Sequence, residues 1–227
     1  MDEKLELQQG KNVADVAKEA GVQHLIFSTL YNVNELSGGK YKNVYHFDSK
    51  AAIEKYIRDL GIPASFFMPG FFMSNLQGMI NKSPQPPHAL TLALPMPDTT
   101  PIPFFDAVGD SGKFVKAMVT QREKVLGKNV LAATAYITPN EVISTFKKAV
   151  GKDVQFYRPD KDTYKGFLAK AGMPDFAQEE MYENMSFMDE FGYFGKQGLE
   201  WSQELLGEEK VTTLEEFLGK NKGAWDK

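Results

Sequence analysis

The chain has 227 residues, 42% of them apolar and 25% charged, with a formal net charge of −4 and a sequence pI near 5.5. This is the composition of a soluble globular protein with room for a substantial core. It contains no Lys/Arg block to track a phosphate backbone and no apolar run near the roughly 20 residues that cross a bilayer, so neither direct nucleic-acid binding nor membrane insertion is expected. The N-terminus, Met1-Asp-Glu-Lys-Leu-Glu, is acidic where a signal peptide is basic and then apolar. With no cysteine, disulfides, thiolate nucleophiles and thiolate metal sites are excluded, which suits a cytoplasmic or nuclear location. His24, His46 and His88 fall in different elements, so no metal site is assigned.

In chain order, Gln9-Gly10-Lys11 opens a helical pattern with Val13, Val16, Ala17 and Ala20 on one face, ended by Gly21. Residues 22–28 read as a strand whose lack of alternation fits burial on both faces in a parallel sheet. Tyr31 to Lys40, with Gly38-Gly39, reads as loop. A helix is predicted from about Lys42 to Leu60, capped by Gly61, and a strand from Ile62 to Met68. Pro84-Gln-Pro-Pro87 reads as a surface loop. Leu90 to Leu94 and Ile102 to Phe105 are strand candidates, and Asp106 or Asp110 caps the next helix. Asn129 to Tyr136 reads as one strand, Thr138-Pro-Asn-Glu141 as a capping box with proline at the first helical position, and Val154 to Tyr157 as a strand. Beyond Pro159 the chain is helical and rich in Met, Phe and Tyr. Alternating strands and helices give an α/β class.

Within this frame, His46-Phe-Asp-Ser-Lys50 places an imidazole and an ammonium four residues apart on one helix face, between two buried strands. The glycine-spaced Gly192-Tyr-Phe-Gly195-Lys-Gln-Gly198 follows no buried strand, so it reads as a loop and not as a phosphate-binding turn.

Several stretches together resemble the NmrA-like family of the atypical short-chain dehydrogenase/reductase superfamily. They are Gln9-Gly-Lys-Asn-Val-Ala-Asp-Val-Ala, Ala20-Gly-Val-Gln-His-Leu-Ile-Phe-Ser-Thr29, His46-Phe-Asp-Ser-Lys50, Pro69-Gly-Phe-Phe72 with Asn75, and Ile102-Pro-Phe-Phe-Asp106 with Asp110. The resemblance implies the C-terminal part of a Rossmann-type parallel sheet (residues 1–135) and a smaller α/β C-terminal domain (residues 136–227). The family's opening strands and Gly-x-x-Gly-x-x-Gly turn have no counterpart here, so the chain is expected to be a member truncated at its N-terminus.

Family members bind NADP or NAD, and are regulators or redox sensors more than working dehydrogenases. Carried onto matching positions, the resemblance assigns cofactor contacts to Lys50, Thr29, Gly70, Phe71, Phe72 and Asn75. In short-chain dehydrogenases a Tyr four residues before the Lys is the proton-transfer partner. That position is His46, and Tyr45 points about 100° away around the helix. No catalytic residue is therefore assigned, and the reading favours a non-enzymatic regulator over an NAD(P)H-dependent oxidoreductase of the isoflavone-reductase-like kind or a non-functional fragment. Cofactor binding is expected to be weak or absent without the glycine turn. A protein partner such as a transcription factor is implied by the family. Self-association is expected through the exposed edge of the strand at 22–28.

Overall fold

A computed structural model describes residues 3–83 and 89–226. The Pro84–Pro87 loop assignment and His88 lie outside the described residues. Elements run α1 (Glu3–Glu19), β1 (Leu25–Ser28), α2 (Val33–Leu36), α3 (Tyr45–Asp59), β2 (Ala64–Pro69), β3 (Phe71–Phe72), α4 (Leu76–Met79), β4 (Ile80–Lys82), β5 (Leu90–Ala93) and β6 (Ile102–Phe105). They continue α5 (Ala107–Thr120), α6 (Arg122–Val125), β7 (Asn129–Ala132), β8 (Ala135–Ile137), α7 (Pro139–Val150), β9 (Val154–Tyr157), α8 (Lys161–Lys170), α9 (Asp175–Phe191), α10 (Glu200–Glu204) and α11 (Leu214–Lys220). Among the described residues no helix is long and apolar enough to cross a membrane.

The chain forms two compact units. The first holds Met1–Pro69, Ser111–Ala132 and Phe194–Lys210; the second holds Gly70–Asp110, Ala133–Tyr193 and Val211–Lys227. The chain passes back and forth between them, whereas the sequence reading drew a single boundary at 135/136.

The first unit carries a parallel sheet in the order β1-β2-β7. β2 is buried from Ala64 to Met68, as a central strand covered on both faces must be. β1 is shorter than expected. Val22 N–H donates back to Ala17 O, so Val22 and Gln23 finish the turn out of α1 before strand geometry begins. β1 pairs with β2, and among the described residues nothing pairs with its other edge. At the buried face Ala14 and Ala17 of α1, Ile53 and Ile57 of α3, and Ala64 and Phe66 of β2 make one core.

The start of α1 differs from the sequence reading. The helix begins at Glu3 and Gly10 lies inside it, where glycine ordinarily costs about 1 kcal/mol against alanine. Packing explains the glycine: a Cβ there would stand 2.4 Å from Ile53 Cδ1. α1 and α3 therefore lie close, and they run in the same direction, with Glu6 bonded to Ser49 and Asp15 to Tyr56. The stretch predicted as loop at 31–40 contains α2, because Asn32 caps it through Glu35 N–H (2.9 Å) and Asp48 Oδ1 accepts from Val33 N–H (2.6 Å). α3 starts at Tyr45, after a non-helical Val44.

The second unit carries two three-stranded sheets, β3-β6-β8 and β4-β5-β9. Residues 129–136 are two strands and not one. β7 ends beside Pro69 in the first unit's sheet, while β8 pairs antiparallel with β6. Thr134 N–H donates to Phe104 O at 2.8 Å between them. Asp106 caps α5 through Val108 and Gly109 N–H, whereas Asp110 is buried and accepts from Thr212 N–H and Oγ1. The predicted capping box at Thr138 and Glu141 is present, and Gly151 closes α7 in the left-handed conformation at φ 79°.

Gly10→Ala is expected to lower stability by about 1–3 kcal/mol, as overpacking does, despite its gain in helix propensity. Chemical denaturation of Gly10→Ala, Ile53→Ala and the double variant should give a coupling energy clearly different from zero.

Candidate functional site

The family-implied residues fall in two places. Thr29 and Lys50 come together in the first unit. Gly70, Phe71, Phe72 and Asn75 lie together in the second.

In the first unit Thr29, fully buried just beyond β1, donates from Oγ1 to the backbone carbonyl of Lys50 at 3.3 Å. The hydroxyl is thus used to fix the first turns of α3. Lys50 projects its ammonium to Glu6 of α1, with which it forms an ion pair, both side chains about a quarter exposed. Ser49, buried, donates from Oγ to the other carboxylate oxygen of Glu6 at 2.6 Å. His46, Ser49 and Lys50 stand at i, i+3 and i+4, so one helix face carries all three. Burial pushes the Glu6 carboxyl up, but hydrogen bonds from Lys50 and Ser49 and the charges of Lys50 and His46 together outweigh it and leave the group below its ordinary value of 4.5.

The remaining members of the motif have structural duties. Phe47 is a core residue. Burial raises the Asp48 carboxyl above its ordinary range, an effect the Val33 and Asn34 N–H groups partly offset. A separate hollow of about 300 Å³ is lined by Leu30, Tyr31, Ala51, Glu54 and others, and by none of Glu6, His46, Ser49 or Lys50. Gln197 donates to Tyr31 Oη at 2.7 Å, which places the glycine-spaced loop against the β1–α2 connection.

In the second unit Gly70 is required by backbone proximity: a Cβ would meet Pro103 O at 2.2 Å. Phe71 is buried with its ring edge-on to Phe104 at 5.5 Å. Phe72 is 39% exposed and Asn75 is exposed, so these two offer surface to a ligand and Phe71 does not.

Sequence reasoning missed Glu6 and Ser49. Once α1 is extended to Glu3, Glu6 falls one turn before Gly10 on the same face. That face is the one packed on α3, and an acid there opposite Lys50 was the available signal.

The NmrA-like family matches residues 2–218 of this chain. The chain belongs to the NmrA-like family. It is 28% identical to the nitrogen metabolite repression protein nmr of Neurospora crassa over 66% of this chain and 32% of that protein. It is 25% identical to the NmrA-like family domain-containing oxidoreductase FrzB of Cladobotryum over 71% of this chain and 52% of that one. The chain thus spans about a third to a half of the length of these curated relatives. Among solved structures, NmrA, a negative transcriptional regulator in complex with NADP, superimposes with a TM-score of 0.75 at 20% identity, covering 94% of this chain and 69% of that one. That likeness shows a shared fold, an α/β architecture with a Rossmann-type parallel sheet.

The lowered Glu6 pKa fixes a sign. Stability contributed by the Glu6 carboxylate is present in full above about 4.5 and is lost as pH falls through its folded value. Glu6→Gln should flatten that part of the stability profile, seen in urea melts taken from about pH 6 to pH 3.

Proposed function

We propose that this chain is an NmrA-like, NAD(P)-responsive regulatory protein that carries out no hydride transfer of its own. The observation that carries this reading is the engagement of Lys50: its ammonium is paired with Glu6, and the position four residues before it is His46. An imidazole with a reference pKa near 6.5 is a different acid from a phenol near 10, and it is shorter. Lys50 and Thr29 are assigned to the nicotinamide-ribose end of a dinucleotide. Gly70, Phe72 and Asn75 are assigned to its nicotinamide side, with Phe71 supporting the turn from the core. The resemblance to the Neurospora repression protein supports a protein partner of transcription-factor type, and a net charge of −4 argues against direct contact with nucleic acid. The open edge of β1 supports self-association by strand pairing.

Among the described residues no Gly-x-x-Gly-x-x-Gly turn joins a strand to a helix, and such turns supply the pyrophosphate contacts of Rossmann sites. At roughly 0.3 kcal/mol per cofactor atom, about 20 uncontacted atoms amount to about 6 kcal/mol, near a 10⁴-fold weakening. The polypeptide of this sequence is therefore assigned weak dinucleotide binding.

A second reading, an NAD(P)H-dependent oxidoreductase using Lys50 for proton transfer, is favoured by the relative named as an oxidoreductase. The two separate in one assay. With NADPH and a panel of quinones and enones, the regulatory reading expects no turnover above background, and calorimetry expects no micromolar NADPH site. A robust rate abolished by Lys50→Ala and impaired by His46→Ala would establish the enzyme instead.

A further inference from the structure

We propose that the open edge of β1 is a receptor for one extended segment of a partner polypeptide, apolar on both of its faces, which adds to the first unit's sheet as a further strand.

An open edge by itself names no guest. What distinguishes β1 is that its open side is walled on both faces of the sheet. Leu25 N–H donates to Pro63 O at 2.8 Å and Thr29 N–H to Phe67 O at 2.9 Å, so the odd-numbered residues turn their main-chain groups to β2. Ile26 and Ser28, between them, turn theirs outward, where among the described residues no strand pairs with them. Phe66 packs with α1 and α3, whereas the Phe67 ring lies 6.5 Å from that of Phe114 in α5. Successive strand residues face opposite ways, so α1 and α5 cover opposite faces.

Each helix turns an uncharged flank toward the open side. On α1, Lys11 and Asp15 reach Tyr56 of α3, and Ala14 and Ala17 enter the core. At about 100° per residue, Leu5, Gln9, Val13, Val16 and Ala20 fall on the flank away from α3, with Val13 and Val16 60% and 63% exposed. α3 lies toward β7, where Arg58 reaches Asn129 at 2.7 Å, so that flank of α1 lies beyond β1. On α5, Lys113, Lys116 and Gln121 bond to the 205–210 segment. Val115 and Val119 occupy the other flank, Val119 being 57% exposed. Arg122, just past them, donates to Gln23 O at 2.8 Å, which places this flank beside β1.

The chemistry of the guest follows. Outward main-chain groups call for an extended chain that completes a ladder. Valines above and below call for apolar side chains on both of its faces, β-branched by preference, and neither flank offers a charge to an acidic or basic guest. A second copy of β1 brings its own α1 to the face where α1 already stands, so strand pairing between copies is the weaker use of the same edge. The inference rests on the open edge, which it shares with the self-association reading, and is independent of the dinucleotide reading.

The test uses the full chain and a fluorescent peptide with a Val/Ile core between lysine pairs. Two comparison peptides have the same length: one alternates Val with Ser and is apolar on one face, and one carries prolines in its core and cannot complete a ladder. Fluorescence anisotropy should show the Val/Ile peptide binding about tenfold or more tighter than the one-faced peptide, and the proline peptide not binding. Val16→Glu and Val119→Glu, at exposed positions on opposite walls, should each weaken binding about tenfold or more. Ser28→Pro, at an exposed position whose N–H points outward, should abolish it while leaving the bonds from β1 to β2. Equal binding of the one-faced peptide, binding unchanged in both glutamate variants, or binding retained in Ser28→Pro overturns the proposal. Sedimentation of the same samples should show the peptide replacing copy-to-copy pairing with a one-to-one complex. Copies that the peptide fails to separate also overturn it, and make a second copy the occupant of the edge.

Discussion

The absence of a side chain at Gly10 is the constraint from which the first unit's architecture follows. With Ile53 filling the space where a Cβ would stand, α1 and α3 pack directly on each other, a contact that small residues permit. Ala14 and Ala17 continue the small surface along α1, and Ile53 and Ile57 supply the bulk from α3. The polar pairs on either side of this apolar seam are then fixed in register. Glu6 meets Ser49 and Lys50 toward one end, and Asp15 accepts from Tyr56 toward the other at 2.7 Å. The glycine's cost in helix propensity is local, while its benefit is spread over every contact between the two helices.

The His46–Lys50 motif serves the fold at nearly every position. Phe47 is core, Asp48 holds α2, Ser49 and Lys50 engage α1, and the carbonyl of Lys50 receives the Thr29 hydroxyl at 3.3 Å. Replacing Ser49 or Asp48 alters structure before it alters ligand chemistry, so loss of function in either variant is weak evidence for direct contact. Glu6 and Lys50, both partly exposed, are where structural and chemical effects separate best.

Much of the fold was legible because its signals are local. The strands Ile102–Phe105 and Val154–Tyr157 and the helix after Thr138 have edges written in short-range chemistry, including proline at the first helical turn, a reciprocal Thr–Glu cap and a left-handed glycine. The errors came where a non-local contact outweighed the local signal. Gly10 looked like a helix boundary because propensity cannot see Ile53 across the core. Residues 129–136 looked like one strand because their apolar run is continuous, and only the pairing partners, β2 for β7 and β6 for β8, divide it. Lys50 is singled out by the family resemblance, while its partner Glu6 lies 44 residues away in a helix whose local signal begins only at Gln9.

Asp48 links the interior of α3 to the protein surface. Its Oδ1 accepts from Val33 N–H at 2.6 Å, so the position of the 33–36 turn is set by the first turn of α3, two residues before Lys50. Because a helix holds its side chains as a rigid row, any rotation of α3 about its axis carries the Asp48 carboxylate with it. The exposed residues Asn34, Glu35 and Leu36 are the far end of that lever.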